Sequence, residues 1–151
     1  MIKQRLITGI ILAPLALAGL FLLDPEPFAY FVAGILFLGA WEWARLAGMT
    51  SQRLRIAYAL VLLALVFISR AIPIVDVLTV SALWWVVAII FVVSYPKGRA
   101  LWGSKLARAV IGPLLLLPFW HALVFIRSAE VTGVGDFSSL WFVFYMLCLV
   151  W

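Results

Sequence analysis

Apolar residues run along this chain in six blocks, at 6–23, 28–47, 54–69, 74–95, 107–126 and 139–151, separated by short polar or charged segments. A bilayer core of about 30 Å takes roughly 20 helical residues, fewer where the membrane thins around the protein. The fourth and fifth blocks reach that length, and the first and third fit a locally thinned bilayer. The pattern predicts an all-α fold, a polytopic transmembrane helix bundle. The sixth block differs. Its 13 residues would rise only about 20 Å as a helix, and they end at Trp151 with no basic flank or polar tail. The expectation is therefore five complete spans plus a truncated sixth. They form a single membrane-embedded domain over residues 1–151, the N-terminal half of a longer protein. No internal repeat is evident.

Composition excludes a water-soluble globule. Apolar residues make up 68% of the chain and charged residues 11%, against roughly a quarter charged in soluble domains. Lys3 and Arg5 ahead of the first block resemble a secretory signal. The 18-residue apolar stretch is longer than a signal core, however, and Asp24-Pro25-Glu26-Pro27 stands where a small-residue cleavage site would be needed. A retained first helix follows. The single cysteine, Cys148, excludes an internal disulfide framework and reads as a small apolar packing residue.

The net charge of +5 is spread over short clusters, which suits an anionic membrane surface and not nucleic acid. With the N-terminus in the cytoplasm, the inner segments hold Lys3, Arg5, Arg45, Arg53, Arg55, Lys97, Arg99, Lys105 and Arg108. Only Arg70 and Arg127 fall outside. Basic residues concentrate on the cytoplasmic side of short loops, so the N-terminus is expected inside.

Prolines add detail. Pro25 and Pro27 predict a tight outer turn, and Pro96-Lys97-Gly98 predicts the inner end of the fourth helix. Pro14, Pro113 and Pro118 fall within spans, where each frees a carbonyl that another helix or side chain must satisfy. Kinked helices of this kind frame a cavity, or are simply tolerated as proline often is in membrane helices.

Candidate chemistry is sparse. His121, the lone histidine, lies inside the fifth span between Trp120 and Ala122. An intramembrane ionisable residue is a functional candidate, but no cysteine pair, second histidine or acidic cluster accompanies it to make a metal site. A hydrogen bond to a neighbouring helix is the better reading. Glu42 is the one acidic residue on the inner side, in Trp41-Glu42-Trp43-Ala44-Arg45-Leu46. Arg45, three residues on, shares its helix face and can pair with it. Trp41 lies one turn from Arg45, within reach of a cation–π contact. The group reads first as an interfacial anchor, and alternatively as support for a cytoplasm-facing polar cavity. Arg108, with Lys97, Arg99 and Lys105, rings an inner loop that also carries Trp102 and Gly103. The ring would attract phosphate-bearing groups, or serve only as the orientation signal. Trp41, Trp43 and Trp102 fit an inner interfacial belt, while Trp84, Trp85 and Trp120 fall near mid-span. Gly133-Val134-Gly135 follows no strand and is not a phosphate loop.

The order of these features resembles a known family. The opening Met1-Ile2-Lys3-Gln4-Arg5-Leu6-Ile7-Thr8-Gly9 is similar to the start of bacterial phosphatidate cytidylyltransferases (CDP-diacylglycerol synthases). So is Gly39-Ala40-Trp41-Glu42-Trp43-Ala44-Arg45-Leu46-Ala47-Gly48 at the close of the second span. The stretch from Gly112-Pro113 through His121-Ala122-Leu123 to Arg127, and the run from Trp141 to Trp151, also look like the family. The resemblance implies that CTP and phosphatidate give CDP-diacylglycerol and pyrophosphate with Mg²⁺, in the bacterial inner membrane. It implies membrane lipids and CTP as partners, with a second copy in a homodimer as a further option, and no nucleic acid. The family's signature aspartates and lysines are expected beyond Trp151. No catalytic, cofactor-binding or metal residue is therefore carried over, and the chain alone is expected to be inactive. Glu42, Arg45, Arg108 and His121 remain as structural or cavity candidates. The rival reading is a non-enzymatic membrane scaffold or small transporter subunit.

Overall fold

A computed structural model describes residues 2–128 and 139–150. Among them every regular element is helical: α1 (Ile2–Leu22), α2 (Pro25–Leu46), α3 (Gln52–Ile68), α4 (Ile74–Val93), the short α5 (Arg99–Trp102), α6 (Lys105–Ser128) and α7 (Ser139–Val150). A single 3₁₀ turn, Ser69–Ala71, extends α3. By length and composition, four helical segments of the described residues could cross a bilayer: Pro25–Leu46, Gln52–Ala71, Ile74–Val93 and Lys105–Ser128. Shorter apolar helical stretches cover Leu12–Leu22 and Ser139–Leu149. Gly133-Val134-Gly135 lies outside the described residues.

The chain divides into two compact units. The first joins Met1–Phe31 to Leu123–Trp151. Here α1 packs on α7, with the Phe21 ring 5.6 Å from Trp141 and 5.8 Å from Phe144. The Arg127 guanidinium donates to the Leu23 carbonyl at 2.8 Å, supplying a donor and a positive charge at the carbonyl end of α1. Cys148 departs from the expected packing role. It is exposed on α7, although it lies one turn beyond Phe144 on the same helix stripe.

The second unit, Val32–Ala122, is organised by α2. Ala33, Leu36, Ala40, Ala44 and Ala47 are all buried, at the three- and four-residue steps that make one helix face. Alanine dominates this stripe, and small side chains let neighbouring helices approach closely, the usual basis of helix packing in lipid. On α3 the facing stripe is Ala59, Leu62 and Val66, and Ala40, Ala59 and Leu62 form a core closed by Phe37, Trp41, Tyr58 and Leu116. No residue of α4 is buried. Its apolar surface suits a hydrocarbon solvent, which needs no internal partner for it.

The junctions follow local chemistry. Helix α2 ends in a paired 6→1 and 5→2 closure, with Met49 N–H on Ala44 O and Gly48 N–H on Arg45 O, both at 3.0 Å. Gly48 takes φ +93°, where a side chain would be strained. Ser104 caps α6, its hydroxyl accepting from Ala107 N–H at 3.0 Å. The Pro25 turn differs from expectation: Pro25 and Pro27 open α2 itself, and the turn is confined to Leu23 and Asp24. A proline in the first helical turn sacrifices no hydrogen bond, because those N–H groups have no helical acceptor.

Candidate functional site

A cluster of polar residues of the second unit lies where α2 finishes and α3 and α6 begin. Glu42 is the centre. Its Oε2 lies 3.0 Å from Nη2 of Arg45, the expected pair one turn along α2. Its Oε1 lies 3.7 Å from Nη2 of Arg55 on α3. The two arginines differ. The Arg45 side chain is 65% exposed, so solvent screens its share of the interaction. The Arg55 side chain is 12% exposed, and its guanidinium lies 4.0 Å from the Trp41 ring centre. Arg55 Nε also donates to the Trp41 carbonyl at 3.4 Å.

Spacing along α2 points to Arg45 as the cation–π partner of Trp41; the structure puts Arg55 there. Arg45 is drawn to Glu42 on an exposed face, whereas Arg55 arrives from the facing helix and can lie flat on the indole. A signal for this exists in the sequence. Arg55 stands four residues before Ala59, in register with the buried stripe Ala59, Leu62, Val66, while Arg53 is off that register and exposed.

Arg108 enters from α6. Its Nη1 donates to Leu46 O at 3.1 Å, placing a cation at the negative C-terminal end of α2. Its own carbonyl accepts from Trp43 Nε1 at 2.8 Å. Trp43 is thus a tie between helices as well as an aromatic near the end of the bundle. Lys105 lays its aliphatic stem over Gly48, 3.3 Å from where a Cβ would stand.

One turn further into α6, Pro113 has no N–H to give the Ala109 carbonyl. Tyr58 supplies the missing donor, its hydroxyl 2.7 Å from Ala109 O. Gly112 makes this possible. A Cβ there would overlap the Tyr58 hydroxyl and sit 2.6 Å from Trp43 Cδ1. Nothing in the sequence pattern singles out Tyr58 or Gly112, although the freed carbonyl follows from Pro113 alone.

His121 belongs elsewhere. It lies 13 residues beyond Arg108 on α6, about 20 Å along the helix axis. Its Nδ1 is 2.9 Å from Leu117 O and its Nε2 is 3.2 Å from Ser69 O, the latter in the 3₁₀ turn. A neutral imidazole has one N–H and donates to one carbonyl at a time; only the protonated ring serves both. His121 is 7% exposed and stands edge-on to Trp120, 5.1 Å between centres. It borders an apolar cavity of about 220 Å³ with Pro113, Leu114, Leu117, Pro118 and Asp76. The structure therefore brings Glu42, Arg45 and Arg108 to one end and leaves His121 at the other. No group of three or more His, Cys, Asp or Glu side chains suited to a metal occurs among the described residues.

Comparison with known sequences decides the family. The model of the cytidylyltransferase family matches residues 3–151. This chain belongs to that family. A phosphatidate cytidylyltransferase of Pseudomonas aeruginosa is 42% identical over 130 residues, covering 85% of this chain and 48% of the relative. A second, from Haemophilus influenzae, is 27% identical over 167 residues, covering 100% of this chain and 57% of that protein. The chain thus spans about half the length of these curated cytidylyltransferases. No solved structure matches it.

Proposed function

We propose that this chain is a membrane-spanning part of a phosphatidate cytidylyltransferase, the enzyme that joins CTP to phosphatidate and releases pyrophosphate. The identity to the Pseudomonas aeruginosa enzyme carries this reading. In it, α1 to α4 and α6 cross the bilayer, and α7 begins a further crossing. The end bearing Arg45, Arg55, Lys97 and Arg108 faces the cytoplasm, in accord with the concentration of basic residues on that side of membrane proteins.

The cluster around Glu42 suits a supporting role in this reading. Both Glu42 oxygens face arginines, and Trp43 and Tyr58 tie α2 and α3 to carbonyls of α6. Such a frame holds three helices in fixed register at the membrane surface where CTP arrives. The cluster at this end does not fit Mg²⁺, because an octahedral oxygen site draws on carboxylates and its one carboxylate, Glu42, is committed to cations. The carboxylates that hold Mg²⁺ would then belong to other parts of the enzyme, and the chain alone would be inactive.

A chimaera tests the proposal. This chain replaces the matching segment of the Pseudomonas aeruginosa enzyme, and membranes are assayed for CDP-diacylglycerol formed from labelled CTP and phosphatidate. Activity in the chimaera and none in the chain alone is the expected result. A chimaera that inserts and folds but is inactive would count against the shared role. Turnover by the chain alone would show that its active site lies within these residues.

A further inference from the structure

Between α4 and α6 lies a groove of about 520 Å³ with an aromatic lining. Trp84, Phe91, Tyr95 and Trp102 form its walls, with Ala88 and Ile111 between them. Its volume falls in the range of sites that hold small organic ligands. The indole N–H groups of Trp84 and Trp102 are shielded and have no acceptor among the described residues. The segment between Tyr95 and α6, with the first residue of α6, carries Lys97, Arg99 and Lys105, all exposed. None of the three is ion-paired among the described residues, and the sequence has no Asp or Glu between Asp76 and Glu130. The basic turn therefore has no acidic residue near it in the sequence and presents uncompensated positive charge at its surface.

We propose that the groove holds one acyl chain of an anionic glycerophospholipid whose phosphate rests on Lys97 and Arg99. The inference rests on the membrane reading above, and not on cytidylyl transfer. Charge selects the occupant. A zwitterionic lipid or an apolar protein helix could fill the groove, but neither would neutralise the basic turn at its mouth. Basic pockets between helices at the cytoplasmic face bind anionic headgroups in this way. The ester carbonyls of such a lipid lie just below its phosphate, at the depth of Trp102, where a small rotation of the ring would give its N–H an acceptor.

The test uses the full chain in lipid nanodiscs containing trace phosphatidylglycerol or phosphatidylcholine, each with a photoreactive acyl chain, and maps cross-links by mass spectrometry. Cross-links from phosphatidylglycerol should concentrate on the groove residues of α4 and α6, from Trp84 to Val92 and at Ile111 and Leu115. They should exceed those from phosphatidylcholine there by about threefold or more, as attraction of an anionic headgroup to two cations requires. Lys97→Gln with Arg99→Gln, both at exposed positions, should abolish that preference. Ala88→Phe should fill the groove and lower its labelling to that of the outward face of α4. Equal labelling by the two lipids in the unsubstituted chain would overturn the proposal, as would a preference that survives the double substitution. Cross-links spread evenly along α4 would do the same. Thermal melting of each variant checks folding, and the double substitution decides the matter if Ala88→Phe does not fold. The readout involves no CTP, so its failure is distinct from failure of the enzymatic reading.

Discussion

The Tyr58 hydroxyl donates to the Ala109 carbonyl at 2.7 Å, the carbonyl that Pro113 leaves without a helical donor. A side chain on α3 thereby completes the backbone of α6. Replacing Tyr58 by Phe should lower stability by about 0.5–2 kcal/mol, the range of hydrogen bonds between helices in membranes. Pro113→Ala restores an N–H to the helix, so the same Tyr58→Phe change should cost less in that background. Thermal unfolding of the four proteins in detergent, read as a double-mutant cycle, measures the coupling. Additive effects would mean that Pro113 is not the reason for the bond.

Gly112 is held by space and not by backbone conformation. Gly112→Ala should be destabilising by about 1–3 kcal/mol, as overpacked sites are, because the new methyl meets Tyr58 and Trp43. Gly34→Ala is the control. A Cβ there has nothing within 4 Å, and alanine is the better helix former by about 1 kcal/mol. Melting temperatures should move in opposite directions.

Arg55 and Arg45 share Glu42 but not its environment. Arg45→Ala should cost no more than about 1 kcal/mol, the usual limit for exposed pairs. Arg55→Ala should cost more, about 1–3 kcal/mol, because it removes a cation–π contact and a charged hydrogen bond from a nearly buried site. Arg55→Lys should recover little of this, since an ammonium cannot lie flat on the Trp41 ring while donating to its carbonyl. Equal losses for Arg45→Ala and Arg55→Ala, measured by thermal shift, would contradict the assignment.

Orientation is open to direct labelling. In a Cys148→Ala background, Lys97→Cys should react with a membrane-impermeant maleimide only in inverted vesicles. Arg70→Cys should react only in intact spheroplasts. The opposite pattern would reverse the proposed topology.

The apolar blocks determined by themselves that the chain is helical and suited to a bilayer, because uninterrupted runs near 20 residues leave no polar face for water. The Glu42–Arg45 pair was also legible, since residues three apart on a helix are neighbours whatever surrounds them. Proline chemistry foretold that the carbonyl opposite Pro113 would need a donor, but not which residue would give it. That donor is Tyr58, 51 residues away, and only the packing of α3 on α6 brings it there. The same holds for Arg55 on Trp41 and for Trp43 on Arg108. Local spacing decides contacts within one helix, whereas contacts between helices depend on which faces the alanine stripe of α2 allows to meet.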